Sequence, residues 1–249
     1  MLLAATSDIH WPRFRDPFVK SLSQLPSTPA LFLLAGDLVN RGNADAIHPL
    51  AEQLEGLDCP IFAVFGNDEY DSIKDELRSA TEGIITFLDD EIAVVQLNGL
   101  QVAIVGTRGV LDQPTFWQSR YVKGVRNRYT RRLRKLNTLL ADARSQAEHT
   151  ILLSHYAPTF KTLSGEMRRA LPQMGSRRVE QLLKEHSPSL VIHGHAHQGL
   201  KRGVVGTTPI LNVALPLHKR IVLFDFPVPR GLENFLVMRP QSSFRRPET

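Results

Sequence analysis

Five short clusters hold nearly all the polar residues of this chain that could do chemistry, and most of them follow a run of apolar residues. Asp8 and His10 form an Asp-x-His after Leu2–Ser7. Gly36-Asp37 follows Ala30–Ala35 and continues through Leu38-Val39-Asn40-Arg41. Gly66-Asn67-Asp68-Glu69 follows Ile61–Phe65, His155 follows Ile151–Ser154, and Gly194-His195-Ala196-His197 follows Leu190–Ile192. A set rich in Asp, Asn and His has too many groups competing for too few protons to serve as an acid–base pair. It makes good ligands, because carboxylate and amide oxygens mixed with imidazole nitrogens suit divalent first-row metals. Seven donors (Asp8, His10, Asp37, Asn67, His155, His195 and His197) exceed one closed tetrahedral site and suit two ions sharing a carboxylate. Such a pair can hold the attacking and leaving oxygens of a phosphoryl transfer.

Donors so far apart in sequence need a scaffold that gathers them. Short β-branched or apolar runs alternate with longer amphipathic stretches at Phe14–Leu25, Ala44–Leu54, Asp71–Ala80, Asn127–Ala147 and Ser176–His186. This alternation predicts an α/β fold with largely parallel strands in its first half. Further strands are expected at Ile92–Leu97, Gln101–Val105, Ile210–Val213 and Arg220–Phe224, and Asn98-Gly99 is a two-residue hairpin signal between two of them. One mixed sheet, or two packed together between helices, is the expected outcome. In such sheets ligands gather beyond the carboxyl ends of the strands, where all five clusters would meet. Gly36, Gly66 and Gly194 would permit the close backbone approaches of a crowded centre.

The five clusters, in order, resemble the motifs of the calcineurin-like metallophosphoesterase superfamily: D-x-H, G-D-x-x-[DN]-R, a G-N block, a lone His, and G-H-x-H. The resemblance spans Asp8 to His197. It implies a four-layer α/β/β/α sandwich with two divalent transition-metal ions at the sheet rim, manganese first, with iron, zinc, nickel or cobalt as alternatives. It assigns Asp8, His10 and His197 to one ion, Asn67, His155 and His195 to the other, and Asp37 to a bridge. A hydroxide between the ions would attack phosphorus in line. The family's third block often carries a His that aids the leaving group, where this chain has Asp68. In the Ser/Thr phosphatase branch that His pairs with an Asp, where this chain has Asn40. Both changes argue against a protein phosphatase, and Asp68 could serve as the acid only if its pKa were raised. Arg41 matches the family's phosphate-facing Arg. Trp11 and Tyr156, each beside a proposed ligand, are candidate stacking residues for a nucleobase. His193 is expected to be buried support.

The bulk properties set the outer limits. The chain has 249 residues, which one core can accommodate, and a single domain over 1–239 with a frayed tail at 240–249 is expected. One cysteine excludes an intramolecular disulfide framework, and no apolar run is long enough for a membrane helix. The apolar start lacks a basic leader and reads as a strand, so a cytoplasmic protein without membrane contact is expected. Arg120, Lys123, Arg126, Arg128, Arg131, Arg132, Arg134 and Lys135 form a basic segment without one acidic residue, although the whole chain carries only +5. These cations are either the solvated face of a helix or a platform for a polyanion. The leading reading is a phosphodiesterase acting on a small nucleotide-like phosphoester. A nuclease using Arg120–Lys135, and a non-catalytic scaffold of the same fold, are the alternatives.

Overall fold

A computed structural model describes residues 1–228. The tail at 240–249 lies outside the described residues. The first half builds one sheet from β1 (Leu2–Thr6), β2 (Leu31–Leu34), β3 (Ile61–Ala63) and β4 (Thr86–Phe87), all parallel, with helices α1 (Arg15–Ser23), α2 (Ile47–Glu52) and α3 (Lys74–Ala80) between them. The second sheet contains β5 (Glu91–Leu97), β6 (Leu100–Thr107), β7 (His149–Ser154), β8 (Leu190–His193), β9 (Arg202–Val205) and β10 (Thr208–Asn212). Its order is β5-β6-β7-β8-β10-β9. Helices α4 (Phe116–Tyr121), α5 (Val125–Gln146), α6 (Arg177–His186) and α7 (Leu215–His218) complete the chain with β11 (Val222–Asp225), which pairs antiparallel to β1 at the edge of the first sheet.

The strand period of two assigns each face. Leu3, Ala5, Leu31 and Leu33 point between the sheets and meet Val102, Ile104, Ile151, Leu153 and Ile192 from the second sheet. Their neighbours Ala4, Phe32 and Leu34 point the other way, against Phe18, Ile47, Leu50 and Leu77 of the first three helices. On the far side Ala103, Val105, Leu152 and Val191 pack on Leu136 and Leu140 of α5 and Val179 and Leu183 of α6. The result is the four-layer α/β/β/α sandwich. Strands covered on both faces must be apolar throughout, which is why they read as continuous runs.

Asn98-Gly99 makes the expected hairpin: β5 and β6 pair in register from Leu97↔Leu100, and both turn residues have positive φ (47° and 83°). Two strands went unread. β4 is two residues long, and β9 contains a glycine and an arginine. Helix α4 also went unread, although its capping box of Thr115 and Gln118 is a sequence signal for a helix start. Among the described residues, no helix is long and apolar enough to cross a membrane.

The helical stripe of α5 buries Tyr129, Leu136, Leu140 and Ala143, and Leu133 packs beside them half-buried. Arg132 leaves the solvated face. Its Nε donates to both carboxylate oxygens of Asp90, at 3.0 and 2.8 Å, while Thr107 donates to the same carboxylate. The pair ties α5 to the start of β5 at a point where little solvent reaches either side chain. Asp90→Asn, which keeps the residue's tolerance for its positive φ but removes the charge, is expected to cost about 2 kcal/mol. Urea denaturation of the variant beside the parent measures it; equal midpoints would contradict a stabilising role for this pair.

Candidate metal centre

The first sheet delivers Asp8, Asp37 and Asn67 just beyond β1, β2 and β3. The second delivers His155 beyond β7, and His195 and His197 beyond β8. All lie on the seam between the two sheets. The ligating atoms of Asp8, His10 and His197 fall within 4.8 Å of one another, and so do those of Asp37, His155 and His195. One carboxylate oxygen faces both groups: Asp37 Oδ2 is 3.8 Å from His10 Nε2 and 3.5 Å from His155 Nε2. Asn67 Oδ1 lies 3.1 Å from His155 Nε2, and His197 Nε2 lies 3.0 Å from Asp8 Oδ1.

Most of these side chains spend one polar atom on the surrounding protein and turn the other inward. Asp8 Oδ2 accepts from Ser7 Oγ and from the His195 backbone N–H, leaving Oδ1 turned to His197 Nε2. Asp37 Oδ1 accepts the Asp68 N–H at 2.8 Å, leaving Oδ2. Asn67 donates its Nδ2 to Asp68, leaving its carbonyl oxygen. A carbonyl or carboxylate oxygen can only accept, so His155 Nδ1 donates to Ala35 O (2.9 Å) and His10 Nδ1 to Asp68 Oδ2 (3.2 Å). With neutral rings both imidazoles turn an Nε2 lone pair to the interior, and a bound metal would displace the proton that His10 otherwise retains there. Fixing the outer atom to set the inner one is how protein metal ligands are oriented. This donor set, mixed oxygen and nitrogen with its free lone pairs convergent, fits two divalent ions.

Positive φ at Asp8 (56°), His10 (43°), Asp37 (52°) and His195 (68°) puts four of the seven candidates in a region that residues with a Cβ rarely visit. Strain of this kind, about 1–3 kcal/mol per residue, persists only where the surroundings enforce it. Two glycines show the crowding. A Cβ on Gly66 would stand 2.1 Å from Asp37 Oδ1, and one on Gly194 would stand 2.3 Å from Ser7 Oγ.

Burial shifts the titrations in opposite directions. It drives His195 down to about 3, helped by the neighbouring His155, and lowers His155 as well, so both imidazoles are neutral and free to ligate. Burial and the charge of Asp8 push Asp37 well above the usual carboxylate range. Asp8 itself is held far below that range: burial opposes its charge, but the hydrogen bonds from His197 and Ser7 outweigh burial. Asp68 is also lowered. Burial works against its charge, while His10, the Arg41 N–H and Asn67 favour it. It therefore lacks the raised pKa that an acid role would require.

Several residues behave differently from their sequence neighbourhood. Trp11 is buried and packs edge-on against Phe18, apart from the residues that line the open cleft. Tyr156 does line it, as a buried floor: its ring packs on His195 at 5.0 Å and its hydroxyl accepts from Gln118 Nε2 at 3.0 Å. Arg41 lies on the rim, exposed. His193 is buried between Thr162 and the Gly194 carbonyl and is no part of the convergent set. The cleft, about 760 Å³, is lined near the metal candidates by Asn67, Asp68 and His195 and further out by Tyr70, Trp117 and Tyr121. Of the basic segment, Lys123, Arg128 and Arg132 line this cleft. Glu69, Arg108, Tyr70 and Trp117 are contributions that sequence reading missed. Glu69 accepts the backbone N–H groups of Asp37 (2.8 Å), Gly66 (2.6 Å) and Val39 (3.0 Å). Arg108 donates to the Glu69 carbonyl at 2.6 Å and to Asp71 at 3.1 Å.

A family model described as "Calcineurin-like phosphoesterase" matches residues 1–199. Among solved structures, phosphopantetheinyl hydrolase from Mycobacterium tuberculosis is similar at a TM-score of 0.64 with 15% identity, covering 92% of this chain and 98% of its own. A dimetal phosphatase from Danio rerio is similar at 0.61 with 13% identity, covering 90% and 92%. These likenesses are of fold. No curated protein matches the sequence.

The Glu69 carboxylate has no solvent contact, and removing it leaves three buried N–H groups unpaired. Glu69→Ala is expected to lose at least about 3 kcal/mol of unfolding free energy. Near-parental stability in urea would contradict this. A second expectation concerns pH in metal-stripped protein. Above pH 6.5 the folded chain retains protons on Asp37 and on His10, whose pKa is raised: burial opposes its charge, but Asp68 and Asp37 outweigh burial. The unfolded chain has lost those protons, so stability falls as pH rises. The buried neutral His155 and His195 act in the opposite sense, but only below 6.5. Between pH 7 and 9 the stripped protein is expected to lose about 1 kcal/mol or more, and saturating divalent metal should remove the loss. A flat profile without metal would refute it.

Proposed function

We propose a specific chemistry for this chain, which belongs to the calcineurin-like phosphoesterase family: hydrolysis of a small nucleotide-like phosphodiester at a two-metal centre. Metal-dependent phosphoester hydrolysis follows from the family; the diester, the nucleotide character and the residue roles are our reading. The observation that carries it is the position of Asp37 Oδ2, turned to both imidazole groups. Asp8, His10 and His197 would hold one ion, Asn67, His155 and His195 the other, with Asp37 shared. The mixed oxygen and nitrogen donors suit manganese, and also iron, zinc, nickel or cobalt. When bound, two such ions supply an activated water oxygen for in-line attack and neutralise charge on the phosphoryl group.

The remaining work falls to side chains. Arg41, on the cleft rim, would hold a phosphate oxygen through paired N–H groups. Asp68 keeps its charge, and nearby cations would favour that charge further, so it orients His10 through Nδ1 instead of supplying a proton. A carboxylate on the cleft wall also repels a monoester dianion more than a diester monoanion. A departing group must then leave largely unassisted, which favours substrates whose leaving group is already a stable anion. Lys123 and Arg128 add positive charge within the cleft, which supports a small polyanion there more than a long strand laid along α5.

The test is turnover of bis-p-nitrophenyl phosphate and p-nitrophenyl phosphate by purified protein with Mn²⁺, together with metal analysis. We expect about two equivalents of metal, activity abolished by EDTA, and kcat/KM at least about tenfold higher for the diester. Asp37→Ala should lower kcat by about 10³-fold or more. A faster monoester reaction would overturn the diester assignment, and a metal-free, inactive protein would favour a non-catalytic scaffold.

A further inference from the structure

We infer that Tyr70 and helix α4 form a second binding subsite, which takes a planar aromatic ring together with an anionic group of the substrate. The inference rests on the proposed phosphoesterase reading and extends it to the part of the substrate that does not react. Large hydrophobic side chains are seldom left open in a group, yet here Tyr70 is 39%, Trp117 53% and Tyr121 61% exposed. The rings form one wall. Tyr70 and Trp117 are nearly parallel, 19° apart with centroids 6.2 Å apart, and Trp117 leans on Tyr121 at 5.6 Å. Tyr121 is tilted 43° from Trp117, so the parallel faces are those of Tyr70 and Trp117; exposed rings of this kind accept any base by stacking.

The wall is held in place by the protein. Gly42 lies directly under Tyr70, where a Cβ would stand 2.5 Å from the ring. Gln118 fixes α4: its Oε1 accepts from the Thr115 N–H and the Tyr129 hydroxyl, and its Nε2 donates to Tyr156, the floor beside His195. The wall is therefore registered to the metal-ligand candidates through two side chains.

Charge supplies the second half of the recognition. Lys74, Arg108 and Arg128 all pair with Asp71, so three cations share one carboxylate, although Lys74 also reaches Asp89. Lys123 lines the same cleft, and among the described residues no carboxylate pairs with it. This leaves positive charge beside the wall that the reacting phosphoryl group, bound at the metal centre, does not use. A nucleobase on Tyr70 and Trp117, with an additional phosphate facing Lys123 and Arg128, satisfies both features within a cleft of about 760 Å³.

The test titrates the full chain, loaded with Mn²⁺, with α,β-methylene-ADP, methylenediphosphonate and adenosine; none has a hydrolysable P–O–P link, and chromatography after the titration checks that the 5′ phosphonate ester of α,β-methylene-ADP is intact. The chain has two tryptophans, and Trp11 is buried, so fluorescence quenching reports on Trp117. α,β-Methylene-ADP is expected to bind about tenfold tighter than methylenediphosphonate and to quench the fluorescence. Calorimetry of Trp117→Ala should show that advantage lost. Lys123→Ala should weaken α,β-methylene-ADP and flatten its dependence on KCl. Equal affinity for the two diphosphonates, or an unchanged advantage in Trp117→Ala, would overturn the subsite. If the nucleotide binds through Trp117 but Mn²⁺ confers no hydrolysis of any phosphoester, the subsite stands and the phosphoesterase reading fails.

Discussion

The carboxylate of Glu69 is the tie on which the site depends. It receives the N–H groups of Asp37, Val39 and Gly66, and so fastens the loop after β2 to the loop after β3 where each presents its ligands. Those loops have no strand ladder to hold them, and a buried N–H must find a partner somewhere. Burial, followed by the charge of Asp37, pushes Glu69 up to about 7, while the backbone donors pull the other way. A second carboxylate beside Asp37 is electrostatically unwelcome, and it is retained because nothing smaller could collect three donors at once.

That tie also explains the strained backbone. Asp8, His10, Asp37 and His195 sit at positive φ because their side chains must reach a common point from different strands, while their backbones continue in other directions. The cost is borne by the pairing around them: the Asp8 N–H donates to Gly36 O, the His10 N–H to Asp37 O, and the His195 N–H to Asp8 Oδ2. Divalent cations would add the attraction that the crowded donors otherwise lack, and the folded state would gain from binding them.

What the sequence disclosed follows the same physics. The strands, the hairpin at Asn98-Gly99 and the convergence of the five clusters were legible because each is a local pattern: an apolar run, a turn dipeptide, a polar residue at a strand end. The failures are contacts between distant segments. Trp11 looked like a cleft residue from its place beside His10, but its backbone pairs with Leu38 and turns the ring onto Phe18. Glu69 stands in the sequence as one more polar residue at a strand end, yet its carboxylate faces the backbone of the loop after β2. Tyr70 and Trp117 meet across 47 positions of sequence, and no periodicity links them. Arg132 belongs by sequence to a uniform basic face, although acidic partners distant in sequence, Asp90 and more weakly Asp89, remove it from that face.

The two parts of the cleft have different freedom to change. Asp8, Asp37 and Asn67 come from one sheet and His155, His195 and His197 from the other, so the candidate ligands meet only when the sheets are packed together. Altering any of these loops therefore disturbs metal binding and folding together. The aromatic wall stands outside that coupling. Helix α4 is six residues long, lies in the connection between β6 and α5, and buries none of its residues. Its link to the centre runs through Gln118 and the Tyr156 hydroxyl, a single hydrogen bond that other polar pairs could replace. Substitutions on its exposed face would alter which leaving group is held while the strand-end ligands keep their geometry. On this architecture the proposed chemistry would be set by the seam between the sheets, and the choice of substrate by a short helix laid beside it.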